Sequence, residues 1–379
     1  MARCARLGGT AALLVAASMA GSALGQGAGE GSAAKPSNLR AVPAETLAAK
    51  YRDPSWRGPR TSWGDPSLEG VWSTDDMRSV PLNRPEEFGE RQTLTPEEFQ
   101  ERARRDESGR DRAVNTETFL RNEWGVRTFG YTSLVIDPPN GRIPPMTEAG
   151  LARAGNRDRG TFGPGPFNTF EDFTLYDRCI TRGVIGSALP VIYGNGMRIV
   201  QSPGYVVISY EMIHDTRIIP LDGRSHVSGD IRQYLGNPRG HWEGDTLVVE
   251  TTNFTDRTSI GPNGNGTRHS DRMKITERFT RVDSEMLEYI ARVEDPVAYT
   301  APFTIRLMIT TQPGYQIYEY SCHEGNGAVR NALSGERAYE REVEEARAKG
   351  LPIPPRGGSG NIYRAPEEGA EIININEGE

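Results

Sequence analysis

The sequence of 379 residues has little cysteine and little histidine, with three and five of them respectively. It contains no C-x-x-C, no H-E-x-x-H and no loop with calcium-ligand spacing, so no motif indicates a metal site. It also lacks G-x-S-x-G, the motif of the hydrolase nucleophile elbow. Zinc or iron would need three histidines that converge from separate strands. We therefore predict neither a metal nor another cofactor.

Long apolar runs and clustered positive charge are also missing. No stretch after the first 25 residues approaches the ~20 consecutive apolar residues of a membrane-spanning helix. The formal net charge of −7 is acidic, whereas binding to nucleic acid or to an anionic membrane would need a basic face. We therefore expect neither nucleic acid nor a membrane as a partner.

The first 25 residues are typical of a secretory signal peptide. Arg3 and Arg6 precede a short apolar run at 10–21, and the small residues at 23–25 form a cleavage site near Gly25. Cleavage removes two positive charges, which moves the net charge from −7 to −9. The mature chain is therefore predicted to be periplasmic or secreted.

The cysteines that remain after cleavage are Cys179 and Cys322, because Cys4 leaves with the signal peptide. In an oxidising compartment, two remaining cysteines most simply form one disulfide. The alternatives are two isolated buried thiols, or a metal-binding or catalytic role for one of them.

Composition divides the mature chain into one folded region and two polar ends. The apolar fraction is 36%, while glycine and proline number 43 and 26, which favours many short strands joined by turns. We predict a flexible leader at 26–60, a β-rich domain at 61–350 and a mobile tail at 351–379. The capping box Thr95-Pro-Glu-Glu98 begins a charged helix, a surface insertion near 95–112. Ser334 begins a last helix over 335–349.

Alternating apolar and polar residues predict strands over the second half of the chain. They are 205–212, 247–251, 275–281, 286–294 and 303–310, followed by a tyrosine-rich strand at 315–322. Short turns between them indicate antiparallel pairing in a barrel or a sandwich, and we expect the barrel. Gly70-Val-Trp72 resembles the opening strand of the lipocalin and calycin barrels, in which the tryptophan plugs the closed end. A calycin-like barrel implies a cavity for one small apolar or aromatic molecule.

Several longer runs resemble a family of exported bacterial proteins that are mostly described as hypothetical. They are YEMIHDTRIIPLDGRSH at 210–226 and WEGDTLVVETTN at 242–253, with shorter runs around Asp137, Cys179 and Cys322. The resemblance covers most of residues 63–340. It implies export and strengthens the predicted disulfide between the two cysteine segments, but it brings no assigned catalytic residue.

The stretch 205–253 holds three of the five histidines, and we expect the chemistry there. In its first hairpin, a loop of His214 and Asp215 alone would place Arg217 on the face opposite Glu211. A three-residue loop would instead let Glu211 and Arg217 form an inward ion pair, which is costly unless it is used or well hydrogen-bonded. The alternative is a turn histidine beside a solvent-exposed Asp215, with a purely structural ion pair.

A second group consists of Asp222, Arg224 and His226. Arg224 and His226 have the same strand parity, so both side chains are predicted to enter one cavity, where a histidine held by a carboxylate can transfer protons. Asp222 can instead serve only its own Asp-Gly turn. His241 and Trp242 are expected to be structural residues at a strand end.

Two function classes follow from these groups. In the first, the protein is a metal-free isomerase, hydratase or lyase whose catalytic residues are His226, Asp222, His214 and Glu211. Its ligand-binding residues are Tyr210, Arg217, Arg224 and His323, with His323 meeting His226 across the barrel mouth. In the second, the same residues bind a ligand without turnover. A third interpretation is a structural envelope protein with a filled barrel.

Overall fold

The structure is a computed structural model, which describes residues 40–42, 56–115, 125–154, 166–262, 266–312 and 314–355. The predicted signal peptide, most of the predicted leader and the predicted tail after residue 355 lie outside these ranges. Arg40–Val42, within the predicted leader, forms a strand. No helix in the described ranges has the length and the apolar composition that crossing a membrane requires.

Strands dominate the described part of the chain. They are β1 (Arg40–Val42), β2 (Gly70–Ser73), β3 (Arg127–Phe129), β4 (Val135–Asp137), β5 (Gly196–Ser202), β6 (Tyr205–Tyr210), β7 (Thr216–Pro220), β8 (Asn237–Glu243), β9 (Thr246–Thr252), β10 (Ser259–Ile260), β11 (Thr267–Arg268), β12 (Lys274–Asp283), β13 (Met286–Glu294) and β14 (Phe303–Thr310). The α-helices of the described residues are α1 (Pro96–Asn115), α2 (Glu148–Ala154), α3 (Val184–Ala188) and α4 (Ala328–Ala348).

Most of the strands form one antiparallel sheet that is nearly closed into a barrel. Its strand order is β7-β6-β5-β2-β14-β13-β12-β9-β8, and β4 pairs with β14 beside this path. β7 and β8 lie next to each other at the remaining seam. Gly240 of β8 permits this approach, because a Cβ there would lie 2.8 Å from Cγ2 of Ile219 on β7. The predicted antiparallel β-barrel with a helical insertion and a C-terminal helix is confirmed.

The interior of the barrel is packed with side chains from alternate positions along its strands. β12 and β13 follow the period-two pattern, with Phe279 and Tyr289 buried inside. Trp72 of β2 is 1% exposed, donates a hydrogen bond of 3.0 Å to the Leu68 carbonyl and lies against the guanidinium of Arg281. Removal of this apolar surface from water is the main favourable term in folding.

The helical insertion begins at its predicted capping box. The backbone N–H of Thr95 donates to the Glu98 carboxylate at 2.7 Å, and the backbone N–H of Glu98 donates to the Thr95 hydroxyl at 3.3 Å. These two bonds satisfy backbone donors that would otherwise lack partners at the first turn. The helix then extends to Asn115, slightly beyond the predicted end.

The same helix is more than the surface element that its polar composition predicts. Arg102 and Asp106 are buried against β3. Arg102 donates to the Phe129 carbonyl at 3.0 Å, and Asp106 accepts a hydrogen bond of 2.6 Å from the Thr128 hydroxyl. Charged side chains can be buried here because the backbone and a hydroxyl of the neighbouring strand satisfy them.

Two predicted elements near the C-terminus differ in the structure. Residues 315–322 form no strand, because the segment pairs with no neighbouring ladder and is held by its side chains instead. The last helix begins at Ala328, so Ser334 lies inside it and does not cap it. The Asn326 side chain accepts the N–H of Ala328 at 3.3 Å, which satisfies the first turn earlier in the chain.

Candidate functional site

One end of the barrel is crossed by residues 314–322, a segment called the strap below. Its last residue, Cys322, forms a disulfide with Cys179, and the two Cα atoms are 5.6 Å apart. The predicted disulfide is therefore confirmed. The strap contacts the β6–β7 turn and the segment 176–195. These three segments together are called the strap end.

The β6–β7 turn is longer than either loop considered from the sequence. The backbone N–H of Tyr210 donates to the Asp215 carbonyl at 2.9 Å, so four residues, 211–214, lie between the paired ends. Ile213 and His214 reverse the chain with φ values of 64° and 49°. Both are in the left-handed region, which side chains other than glycine seldom adopt. This turn sets which side chains of the hairpin point inward.

Arg217 points into the barrel, where it pairs with Glu277 of β12 and not with Glu211. Its Nη1 donates to Glu277 Oε1 at 2.8 Å, and Nη2 also contacts this carboxylate. Nη2 donates to the Thr251 hydroxyl at 3.2 Å, and the Tyr289 hydroxyl donates to Glu277 at 3.1 Å. Burial opposes the charge, yet the charge of Glu277 outweighs it and raises the pKa of Arg217. The predicted Glu211–Arg217 pair is wrong, and a structural pair fills the barrel centre.

Glu211, at the start of the turn, is 7% exposed and belongs to a group of buried carboxyls. It accepts a hydrogen bond from the Tyr315 hydroxyl of the strap. Gly196 leaves room for this bond, because a Cβ there would lie 2.8 Å from the same hydroxyl. Burial raises the pKa of Glu211, and the nearby charge of Asp75 raises it further. Asp75 accepts a hydrogen bond of 2.6 Å from Asn195, and burial raises its pKa too.

Arg182 lies beside this group, 1% exposed and with few partners. Its Nη1 donates to the Gly194 carbonyl at 3.4 Å, whereas Nε and Nη2 have no hydrogen-bond partner among the described residues. Burial lowers the pKa of this guanidinium to about 10. A buried cation is costly when no anion compensates it. Arg182 is therefore a buried cation that no carboxylate among the described residues pairs with.

Tyr176 and, from the strap, Tyr320 lie close to the Arg182 guanidinium, and Tyr193 lies beside Tyr320. The hydroxyls of Tyr193 and Tyr320 are 3.5 Å apart, and their ring centres are 6.3 Å apart. The Tyr176 hydroxyl lies close enough to interact electrostatically with both Tyr193 and Tyr320. Burial raises the pKa of Tyr176 and of Tyr320, so both hydroxyls stay protonated at neutral pH.

Asp215 and His214 complete the strap end. Asp215 accepts a hydrogen bond of 2.6 Å from the Thr181 hydroxyl and another from the backbone N–H of Arg182. Burial raises the pKa of Asp215, so it is not the solvent-exposed neighbour of a turn histidine. His214 is exposed, and its Nδ1 lies 3.3 Å from the Tyr320 carbonyl. Because a carbonyl only accepts, Nδ1 is the donor in this bond.

The second predicted group lies at the opposite end of β7. Asp222 and Arg224 form an ion pair with exposed side chains. His226 is partly buried, with Nδ1 3.3 Å from the Asn237 side-chain oxygen and Nε2 3.4 Å from the Glu250 carboxylate. Residues 221–227 form no strand. The prediction that strand parity sends Arg224 and His226 into one cavity is therefore wrong.

The remaining histidines that the sequence drew attention to are exposed. His323 follows the disulfide directly and makes no contact with His226 among the described residues. His241 lies 3.2 Å from Glu243, and Trp242 packs partly buried against the core. Within the described ranges, no three His, Cys, Asp or Glu side chains are grouped closely enough to hold a metal ion.

Most residues of the strap end escaped the sequence analysis. They are Tyr176, Thr181, Arg182, Tyr193, Asn195, Tyr315 and Tyr320, and Asp75, which bonds to Asn195 from outside these segments, was missed as well. These residues come from irregular segments, so no periodic pattern marks them. The cysteines were the available signal, because a Cys179–Cys322 bond brings the neighbours of both cysteines together. Arg182 follows the first cysteine closely, and Tyr320 precedes the second.

A separate cleft of about 330 Å³ lies between the segment 169–178, residues 256–257 before β10, and Arg268 of β11. Its charged lining consists of Glu171, Asp172, Asp256, Arg178, Arg257 and Arg268. Both signs of charge line the walls in similar number. The cleft therefore has no clear preference for one sign of ligand charge.

Comparisons with known proteins give no match from which a function could be inferred. The chain matches no family model, and no curated protein matches it either. The case for function therefore rests on the residues of the strap end.

Proposed function

We propose that the chain is an exported protein that binds a small aromatic molecule at the strap end. The observation that carries this proposal is the group of Tyr176, Tyr193 and Tyr320, two of which lie close to the buried guanidinium of Arg182. Aromatic faces with a few convergent polar groups are the usual lining of small-molecule sites.

The other places in the barrel support a ligand less well. The barrel centre is occupied by Arg217 and Glu277, whose charges satisfy each other. At the opposite end of β7, the carboxylate of Asp222 is already bonded to Arg224 in solvent. The strap end combines burial and aromatic rings with two neighbouring donors of one guanidinium, Nε and Nη2 of Arg182, that have no partner among the described residues.

Export is part of the proposal. A disulfide between Cys179 and Cys322 supports an oxidising compartment, because such bonds are rare in the reducing cytosol. The signal-peptide features of residues 1–25 point the same way. On the shared runs at 210–226 and 242–253, we also propose membership of the exported bacterial family that they resemble.

A second candidate function is acid–base catalysis on the same ligand. Glu211 is favoured for this role over His226, because burial raises its pKa and it adjoins the strap. A carboxyl group with a raised pKa can donate a proton near neutral pH. Asp75 contributes the nearby charge, and Tyr315 holds the Glu211 carboxyl in place. An isomerase, hydratase or lyase of this kind needs no metal step.

Titration calorimetry of the exported, oxidised protein with a panel of small aromatic molecules tests the binding. We expect Tyr320→Phe to weaken a bound member about two- to tenfold, since one hydrogen bond contributes roughly 0.5–1.5 kcal/mol. The matched control is Tyr318→Phe, because Tyr318 is 67% exposed on the same strap. Equal effects of the two substitutions, or no binding by any panel member, would contradict the proposal.

Turnover separates the two candidates. Glu211→Gln should leave the affinity for a bound ligand within a few-fold and abolish its conversion, because the amide cannot donate the acidic proton. The conversion is followed by mass spectrometry of the ligand after incubation. A ligand that is bound but unchanged by the unsubstituted protein rejects catalysis and leaves binding.

A further inference from the structure

The guanidinium of Arg182 has one edge without partners among the described residues. This edge consists of Nε and Nη2, whereas Nη1 on the other side is bonded to the Gly194 carbonyl at 3.4 Å. Nε and Nη2 carry parallel N–H groups that match the two oxygens of a carboxylate. A partner for this edge would therefore need two oxygens spaced like those of a carboxylate.

No carboxylate among the described residues bonds to this edge. Among the described residues, Arg182 forms no ion pair, although Asp215 lies nearby. The Asp215 carboxyl instead takes the Thr181 hydroxyl at 2.6 Å and the backbone N–H of Arg182. Arg217 shows the contrast, since the same kind of buried guanidinium in the barrel centre has Glu277 on its Nη1 and Nη2. Of these two buried arginines, one therefore has a carboxylate partner and the other has none among the described residues.

We propose that the ligand of the strap end carries a carboxylate, which binds the Nε–Nη2 edge of Arg182. The inference rests on the proposed binding function and names the chemical class of its ligand. The ring of the ligand lies against Tyr193 and Tyr320, and their hydroxyls are within reach of its polar groups. Because Arg182 is 1% exposed, a side chain of the strap end has to move before the ligand can reach it.

Three probes of matched shape test the charge: benzoate, benzamide and benzyl alcohol. Calorimetry with the oxidised full chain should give benzoate an affinity more than tenfold above that of benzamide, since hydrogen bonds to charged groups are the strong ones. In Arg182→Met, this preference should disappear while weak binding of the neutral probes remains. Arg182→Lys should keep part of this preference for benzoate, because the lysine ammonium keeps the positive charge but lacks the parallel N–H groups of the guanidinium. This variant serves also if Arg182→Met fails to fold.

Arg178→Met is the matched control, because Arg178 lies on the same segment but contacts the Phe170 ring and lines the separate cleft. It should leave the benzoate affinity unchanged. If neutral probes bind as tightly as benzoate, the carboxylate inference is overturned and the binding function stands. If no probe binds, both fail. If phosphate binds through Arg182 and benzoate does not, the site is one for inorganic anions and the inference is likewise overturned.

Discussion

At the scale of single residues, charged groups in this protein divide by how their burial is compensated. Arg217 and Glu277 satisfy each other inside the barrel, whereas Arg182 has an unpaired edge at the strap end. Glu211 and Asp215 are carboxyls whose pKa is raised by burial. Groups whose pKa is perturbed by burial cluster at functional sites more often than on ordinary surfaces. The contrast between the two arginines is the basis of the proposed site.

The central ion pair gives a first prediction. Glu277→Gln should lower the free energy of unfolding by about 3–5 kcal/mol, because it leaves Arg217 as an uncompensated buried charge. Urea unfolding measures the change. The control is Asp222→Asn, which breaks an exposed pair just beyond the end of β7 and should leave the urea midpoint unchanged. A Glu277→Gln protein as stable as the control would show that the centre of the barrel is hydrated.

His269 gives a pH-dependent prediction. It is buried against Thr258 and the Ser270 carbonyl, and burial lowers its pKa to about 4 from 6.5. As pH falls from 6.5 to 4, His269 becomes protonated in the unfolded chain but stays largely neutral in the folded protein. The free energy of unfolding should therefore decrease by about 3 kcal/mol over this window through His269.

The variant His269→Gln lacks this contribution. Its stability difference from the unsubstituted protein should shrink on acidification, which urea titrations between pH 7 and pH 4 measure. Asp75, Glu211 and Asp215 act with the opposite sign, because their raised pKa values favour the folded state at low pH. They are common to both proteins and cancel in the difference. A difference that is constant with pH would mean that His269 titrates normally.

At the scale of elements, the seam between β7 and β8 depends on one small residue. A Cβ at Gly240 would lie 2.7 Å from Leu221 and 2.8 Å from Ile219. Gly240→Ala should therefore destabilise the protein by about 1–3 kcal/mol through overpacking. Gly229→Ala is the control, since a Cβ there meets nothing within 4 Å. Equal thermal midpoints for the two variants would contradict a tight seam.

The position of the strap depends on the disulfide between Cys179 and Cys322. The bond closes a long loop, since its cysteines are 143 residues apart in sequence. Replacing Cys179 and Cys322 together by serine should cost about 2–5 kcal/mol of stability and release the strap. Denaturant unfolding checks the stability, and protease digestion at Tyr318 checks the release. Unchanged digestion in the double variant would show that Tyr315 and Tyr320 hold the strap without the bond.

At the scale of the whole molecule, the sequence predicted the barrel better than the site. Period-two alternation is a local signal, and it located β12, β13 and β14 well. The partner of Arg217 is 60 residues away on β12, and the distance between them depends on sheet order and turn length. The four-residue β6–β7 turn decided the geometry, and neither loop considered from sequence had that length. The alternation of apolar and polar residues over 315–322 imitated a strand, although the segment pairs with no ladder.

The predicted catalytic set also divides between the two ends of one strand. Glu211 and His214 lie at the strap end, whereas Asp222 and His226 lie beyond the far end of β7. Sequence proximity placed all four in one motif. The five residues of β7 separate the two pairs. At a rise of roughly 3.3 Å per residue along an extended strand, the two pairs are too far apart for one active site. Their individual roles stay predictions, with Glu211 the best placed.

The central claim is that the strap end binds the ligand, and fluorine NMR tests it most directly. The chain has 14 tyrosines, which can be labelled as 3-fluorotyrosine and assigned by single Tyr→Phe variants. On titration with benzoate, the resonances of Tyr176, Tyr193 and Tyr320 should shift together, while Tyr205, beside Arg224 at the other end, stays unchanged. Shifts at Tyr205 without shifts at the strap end, or no shifts at all, would contradict the account.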